Sequence, residues 1–177
     1  MPTPAAMVKN SFFLRHACSP IPNSNTYFQN EFDIGAFVDA LGESLLRIHA
    51  ISVQYTDVLG NALDMDVGPN ASAHNRWQLT TQTQSDMVKI TDKSIIASGA
   101  LFAANSMTGV IPTNIVDTLD VGPNLWANGY LVAVETLFMG SRATTEWAEA
   151  VSVNIVLECT VERATKEAAL ALAMSQQ

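Results

Sequence analysis

The chain has 177 residues, a formal net charge of −8, and 15% charged against 48% hydrophobic residues, where a soluble domain carries about 25% charged residues. Such a chain is too apolar to be disordered, too acidic to bind nucleic acid through bulk charge, and too poor in cysteine, with two, for a disulfide scaffold. No apolar run approaches the ~18 residues that span a bilayer, and the length suits one domain.

The shortfall in charge is filled by 47 Ser, Thr, Asn and Gln residues. Interface cores are depleted in Lys, Glu and Asp, so the composition fits a surface spent on subunit contacts. It fits equally a stable secreted or surface β-protein with a polar exterior.

In chain order, residues 1–8, with Pro2 and Pro4, read as a flexible arm. Lys9 and Arg15 are the nearby cations, far short of a nucleic-acid-binding tail. MPTPAAMVKN lacks the apolar core of a signal peptide, which favours synthesis in the cytoplasm. Residues 9–17 predict a first strand, and Pro20 and Pro22 place a loop after it. Residues 27–34 alternate weakly as a second strand. Asp33 is a candidate cap for a short helix over 34–41, because Phe37, Val38, Leu41 and Leu45 fall at helical spacing; Gly42 would end it.

SLLRIHAISVQYTD (44–57) is the first strong strand. Its apolar phase slips between Ala50 and Ile51, the mark of a β-bulge or bend. Residues 58–75 read as a loop with turn signals at Gly60-Asn61 and Gly68-Pro69-Asn70. Residues 76–85 alternate as a strand with a polar outer face, and 87–90 either extend it or form a short strand of their own. Residues 93–104 fit a buried strand with Gly99 at a bulge or close approach, although their alanines also allow a helix. Residues 105–128 are loop-rich, with a short strand around Ile115, Val116, Leu119 and Val121.

GYLVAVETLFM (129–139) is apolar on both faces. Two readings follow: a strand covered on both sides, or a subunit contact. Gly140-Ser141 marks a break, with Trp147 an anchor in the turn back. Residues 151–161 place Val151, Val153, Ile155, Leu157, Cys159 and Val161 on one face, as in a central antiparallel strand. Thr165 then caps a helix from Lys166 to about Ser175, too short to stand alone. Asp-Val-Gly-Pro-Asn occurs at 66–70 and 120–124, either by chance or as one turn used twice.

No chemistry emerges from the titratable residues. His16, His49 and His74 have no partner at metal-binding spacing, and His49 reads as structural. Asp64, Asp66 and Asp120 lack the other positions of a calcium loop and read as turn-capping carboxylates. Glu135, Glu158 and Glu162 sit in strand patterns with no diagnostic context for glycoside hydrolysis. Nucleophile-elbow, phosphate-loop and dinucleotide motifs are missing from the sequence. No catalytic, cofactor-binding or metal-binding residue is assigned, and no enzymatic activity or cofactor is expected. Cys18 and Cys159 could pair if the fold brings them together; the apolar face around Cys159 suits a buried free thiol.

The pattern predicts an all-β fold: a jelly-roll β-sandwich of about eight antiparallel strands over 9–164 with a short C-terminal α-helix in 165–177. The arm before the first strand, SLLRIHAISVQYTD, GYLVAVETLFM, VSVNIVLECTVER and the terminal ATKEAALALAMSQQ together resemble the single jelly-roll capsid proteins of icosahedral double-stranded DNA viruses of archaea and bacteria, including those with an internal membrane. The resemblance is one of layout across the whole chain. It implies a virion protein that assembles with copies of itself, and with other capsid proteins, into capsomers and a shell. The uncharged arm argues against direct contact with the genome, and leaves room for a membrane or protein layer beneath the shell. The outer positions of 129–139 and the Ala/Leu face of 166–174 are then the candidate contacts. Loss of 165–177 is expected to leave a folded domain that fails to assemble, unless the helix packs on its own sandwich and its loss costs stability. The rival from another class is a secreted or surface carbohydrate-binding sandwich.

Overall fold

The computed structural model describes residues 10–18, 23–39, 41 and 44–177. The expected arm and Gly42 lie outside the described residues. The described chain forms nine strands: β1 (Phe12–Cys18), β2 (Phe28–Asp33), β3 (Ser44–Thr56), β4 (Ser72–Thr80), β5 (Ile95–Ala104), β6 (Asn114–Val121), β7 (Tyr130–Val132), β8 (Thr136–Ala143) and β9 (Ser152–Arg163). A 3-10 turn (Pro123–Leu125) precedes β7, and one helix, α1 (Lys166–Gln176), ends the chain.

One sheet has the order β1-β9-β3-β7 and the other β2-β8-β4-β5-β6, with every pairing antiparallel. Without β6, each sheet has four strands interleaved by chain crossings, which is the jelly-roll topology. β6 is an added edge strand in the connection between β5 and β7.

The core lies between the sheets. Leu46, Ile48 and Ile51 of β3 and Val153, Ile155, Leu157 and Cys159 of β9 meet Trp77, Leu79, Leu137 and Met139 of the opposite sheet, all nearly inaccessible. β9 sits between β1 and β3, as its inward alternation from Val151 to Cys159 requires, but Val161, expected on the same buried face, is exposed. The phase slip in β3 is a bulge: the register against β9 shifts between Ile48 and Ala50, and both apolar phases reach the same core. The bulge at Gly99 is also present, with the register shifting between Ser98 and Gly99. A Cβ at Gly99 would lie 2.3 Å from the Thr118 carbonyl oxygen, so glycine lets β6 approach.

Several expectations need correction. Residues 34–39 form a turn, not a helix. Asp33 Oδ1 accepts from the Gly35 N–H, Ile34 and Val38 are buried, and Asp39 bridges to Ser44, so the chain enters β3 after one turn. Phe37 stacks on Phe12 with ring centroids 4.7 Å apart. Phe37, Val38 and Leu45 are core anchors, whereas Leu41, the fourth residue of the helical spacing, is exposed. β4 starts earlier and ends earlier than predicted, at Ser72 and Thr80. Its polar side is not an outer surface: Gln78 and Thr80 are 0% exposed. The segment 81–94 lies over them, with Gln78 donating to Tyr27 Oη and the Asp86 carbonyl and accepting from the Val88 N–H. Residues 87–90 therefore bond to a side chain and form no strand.

The predicted strand 129–139 is two strands in different sheets. β7 pairs with β3 and β8 with β2 and β4, and residues 133–135 cross between them. A crossing chain meets apolar surroundings on both sides, which is why no alternation appears. Gly140-Ser141 is no break, since β8 runs through it. Gly140 instead faces Tyr27, whose hydroxyl would lie 2.0 Å from an added Cβ. Trp147 is the anchor expected, packed with Val67 and Val151.

Candidate assembly surface

The connections gather at the two ends of the sandwich. At one end, four are laced together. Asn23 Nδ2 donates to the Trp147 carbonyl, and Asn105 Nδ2 to the carbonyls of Val67, Gly68 and Gly109. The Val67 N–H donates to Val110 and the Asn70 N–H to Met107. At the other end sits α1. Thr165 Oγ1 caps it by accepting from the Ala168 N–H, as the sequence predicts. Its Ala169 and Ala173 pack on Leu45 and Ala133, with Leu131 and Leu172 alongside.

The two predicted contact surfaces thus cover each other in part within one subunit, while Leu170 and Met174 of α1 stay exposed. The apolar outer side of 131–133 is hidden by α1, and the Ala face of α1 is hidden by 131–133. Hydrogen bonds fix the arrangement. The Gln176 amide accepts from the Ala133 N–H at 2.9 Å and donates to the Leu131 carbonyl at 2.7 Å, completing the edge of β7. Thr81 and Gln82 donate to the Gln176 backbone carbonyl, satisfying a group that a helix end leaves free.

A further exposed apolar group lies around β6. Phe102 and Val116 are direct cross-strand neighbours and are 38% and 39% exposed. Ile115 on β6 and Met107, Val110 and Ile111 in the segment before it are also exposed. β6 is exposed along most of its length and, as the last strand of its sheet, has one edge unpaired among the described residues. Isolated exposed apolar residues are ordinary; a group of large ones around a bare strand edge marks an interaction surface. The exposed run Ile115–Val116 was legible as a short strand, but its position at a sheet edge depends on long-range pairing.

Several of the titratable groups singled out in the sequence make structural contacts. His49 Nε2 lies 2.8 Å from Thr160 Oγ1, which supports its structural reading. His16 stacks on Phe32 at 4.6 Å, and burial lowers its pKa. Burial lowers that of His74 too, with Arg76 and Arg142 adding to the effect. Glu162 receives both Nε and Nη2 of Arg47, at 2.7 and 2.8 Å. Asp64 Oδ1 accepts from the Asp66 N–H in a turn, while Asp120 lies 3.9 Å from Arg76. Among the described residues, no group of three or more His, Cys, Asp or Glu could hold a metal ion. Cys18 and Cys159 are free and buried, and burial pushes both thiols up to about 12. They face opposite ends of the β1–β9 ladder, Cys159 beside Phe12 and Cys18 beside Val153.

The repeated pentapeptide does not make the same turn twice. Asn70 takes a left-handed backbone, with φ 48°. Pro123 instead opens the 3-10 turn, and the Asn124 side chain accepts from the Ile51 N–H at 2.7 Å and donates to the Ile51 carbonyl at 3.1 Å.

No known family profile matches the chain, and no curated protein matches it in sequence. Among solved structures, VP1 of Trichodysplasia spinulosa-associated polyomavirus, in complex with GM1 oligosaccharide, aligns with 8% identity over 90% of this chain and 97% of its own, at a TM-score of 0.47. A chain of Desmodium yellow mottle tymovirus aligns with 9% identity over 93% of this chain and 96% of its own, at a TM-score of 0.29. The jelly-roll assignment rests on strand order and register.

Proposed function

We propose that this protein is a structural subunit of a virus capsid, assembling with copies of itself into capsomers and a shell. The observation that carries the reading is a jelly-roll sandwich whose added edge strand, β6, presents a group of exposed large apolar side chains. Symmetry multiplies one such contact around a closed shell, so each need only be weak. The layout resemblance to shell proteins of double-stranded DNA viruses of archaea and bacteria points the same way, and with it a virion location after synthesis in the host cytoplasm.

The charge pattern suits a shell that does not itself condense the genome. The chain carries −8 overall, and among the described residues Arg47, Arg76 and Arg142 lie against carboxylates. A membrane or another protein then lies between shell and nucleic acid. At low salt the purified protein is expected to leave duplex DNA unbound in a filter-binding assay. A salt-sensitive complex would remove this part of the proposal. Electron microscopy of the concentrated native protein tests the main reading. Rings, capsomers or shells of many copies support it; a dispersed monomer under all assembly conditions contradicts it.

A further inference from the structure

A second feature lies between β3 and β6, apart from the exposed apolar group. β7 pairs with β3 only at Leu46, Arg47 and Ile48. Beyond that point the Asn124 amide takes the place of a strand at Ile51, and Ala62 bridges to Thr56. Antiparallel ladders alternate the direction of their backbone groups. The Ile51 N–H points away from β9 to Asn124, so the N–H and carbonyl of Val53 and the N–H of Tyr55 point away from β9 as well. No described strand lies beside them. The side chains of Ile51, Val53 and Tyr55 line a cleft of about 300 Å³, closed on the other sheet by Trp77, Asp117, Thr118 and Leu119.

We propose that this cleft receives a short extended segment of a partner chain, which adds to the bare edge of β3 at Val53–Tyr55, seats an aliphatic side chain between Ile51, Leu119 and Trp77, and sets a basic one against Asp117. Strand addition takes its affinity from backbone pairing and its selectivity from the pockets for alternate side chains. The protein already uses this mode on itself, through the Asn124 amide. Charge selects the sign of the partner. Asp117 is exposed in the cleft wall, and both Asp117 and Asp120 act on the buried Tyr55 phenol. The Tyr55 oxygen accepts from Trp77 Nε1 at 2.9 Å, which ties the cleft floor to a fluorescent reporter.

The test uses unassembled full-length protein and the blocked tetrapeptide Val-Ser-Lys-Ser, whose valine and lysine, two positions apart, both face the cleft. Amide hydrogen exchange is followed by NMR. With the peptide at ten times its Kd, exchange at Val53 and Tyr55 slows about tenfold, and Trp77 fluorescence changes with the same midpoint. Asp117→Lys, at an exposed position, weakens binding about fivefold. The proposal is overturned if the valine–glutamate analogue binds as tightly. It is overturned too if the lysine peptide leaves those two amides unprotected, or if hexylammonium alone protects them equally. None of these outcomes depends on whether the protein forms shells.

Discussion

At the residue scale, side-chain amides stand in for missing strands. Asn124 pairs with both backbone groups of Ile51, and Gln176 pairs with Leu131 and Ala133. Leaving such buried groups unpaired costs about 1–3 kcal/mol, so Asn124→Ala and Gln176→Ala are each expected to lower unfolding free energy by about that amount in urea titrations. Gly99→Ala should also destabilise, by about 1–3 kcal/mol, because its methyl meets the Thr118 carbonyl and pushes β6 away. Faster hydrogen exchange along β6 would report that displacement. The two amide roles were not legible in sequence. Asp-Val-Gly-Pro-Asn looks the same at both sites, yet only the second asparagine finds a strand edge, and that edge comes from residues far off in the chain. Gly99 was legible, because a lone glycine inside a buried strand marks a bulge or a close backbone approach.

At the element scale, what could be read was local. The phase slip at Ala50–Ile51, the inward alternation from Val151 to Cys159 and the cap at Thr165 each depend on neighbouring residues, and each has its counterpart in the fold. What could not be read was the identity of the covering partner. Residues 129–139 look like one strand because a chain that crosses between sheets, with a helix outside, has no polar face. That helix belongs to the same subunit. Removing 166–177 is therefore expected to cost about 2–4 kcal/mol, through exposure of Leu45, Leu131 and Ala133 and loss of the Gln176 bonds. A lowered melting temperature in the truncated chain checks this; an unchanged one would return α1 to the role of a contact between subunits.

At the scale of the whole molecule, buried titratable groups set a pH window. The unfolded chain releases its thiol protons from about the ordinary value of 9.0, whereas folded Cys18 and Cys159 hold theirs to about 12. Stability present below pH 9 is therefore lost as pH rises toward 12. On the acid side, burial lowers the pKa of His16 and His74 below 6.5, so stability present above that value is lost as pH falls through the lowered ones. Asp57, Asp86, Asp92 and Glu146, each lowered by hydrogen bonds, extend the loss to lower pH. Thermal melts across pH should show a plateau between about 6.5 and 9. A maximum near the sequence pI of 4.6 would contradict this.

The low charge density also belongs to the whole molecule. Part of it is spent inside the subunit, on the covered polar side of β4 and the seat of α1. Another part surfaces at β6, where Val116 and its cross-strand neighbour Phe102 share one exposed face. The central claim is that copies of the chain join through this face. The most direct measurement is sedimentation velocity of the native protein beside Val116→Glu, whose exposed site leaves the fold intact by circular dichroism. The native chain is expected to sediment as assemblies of many subunits and the variant as a folded monomer. A native chain that stays monomeric at every concentration, or a variant that assembles as well as the native chain, would contradict the claim.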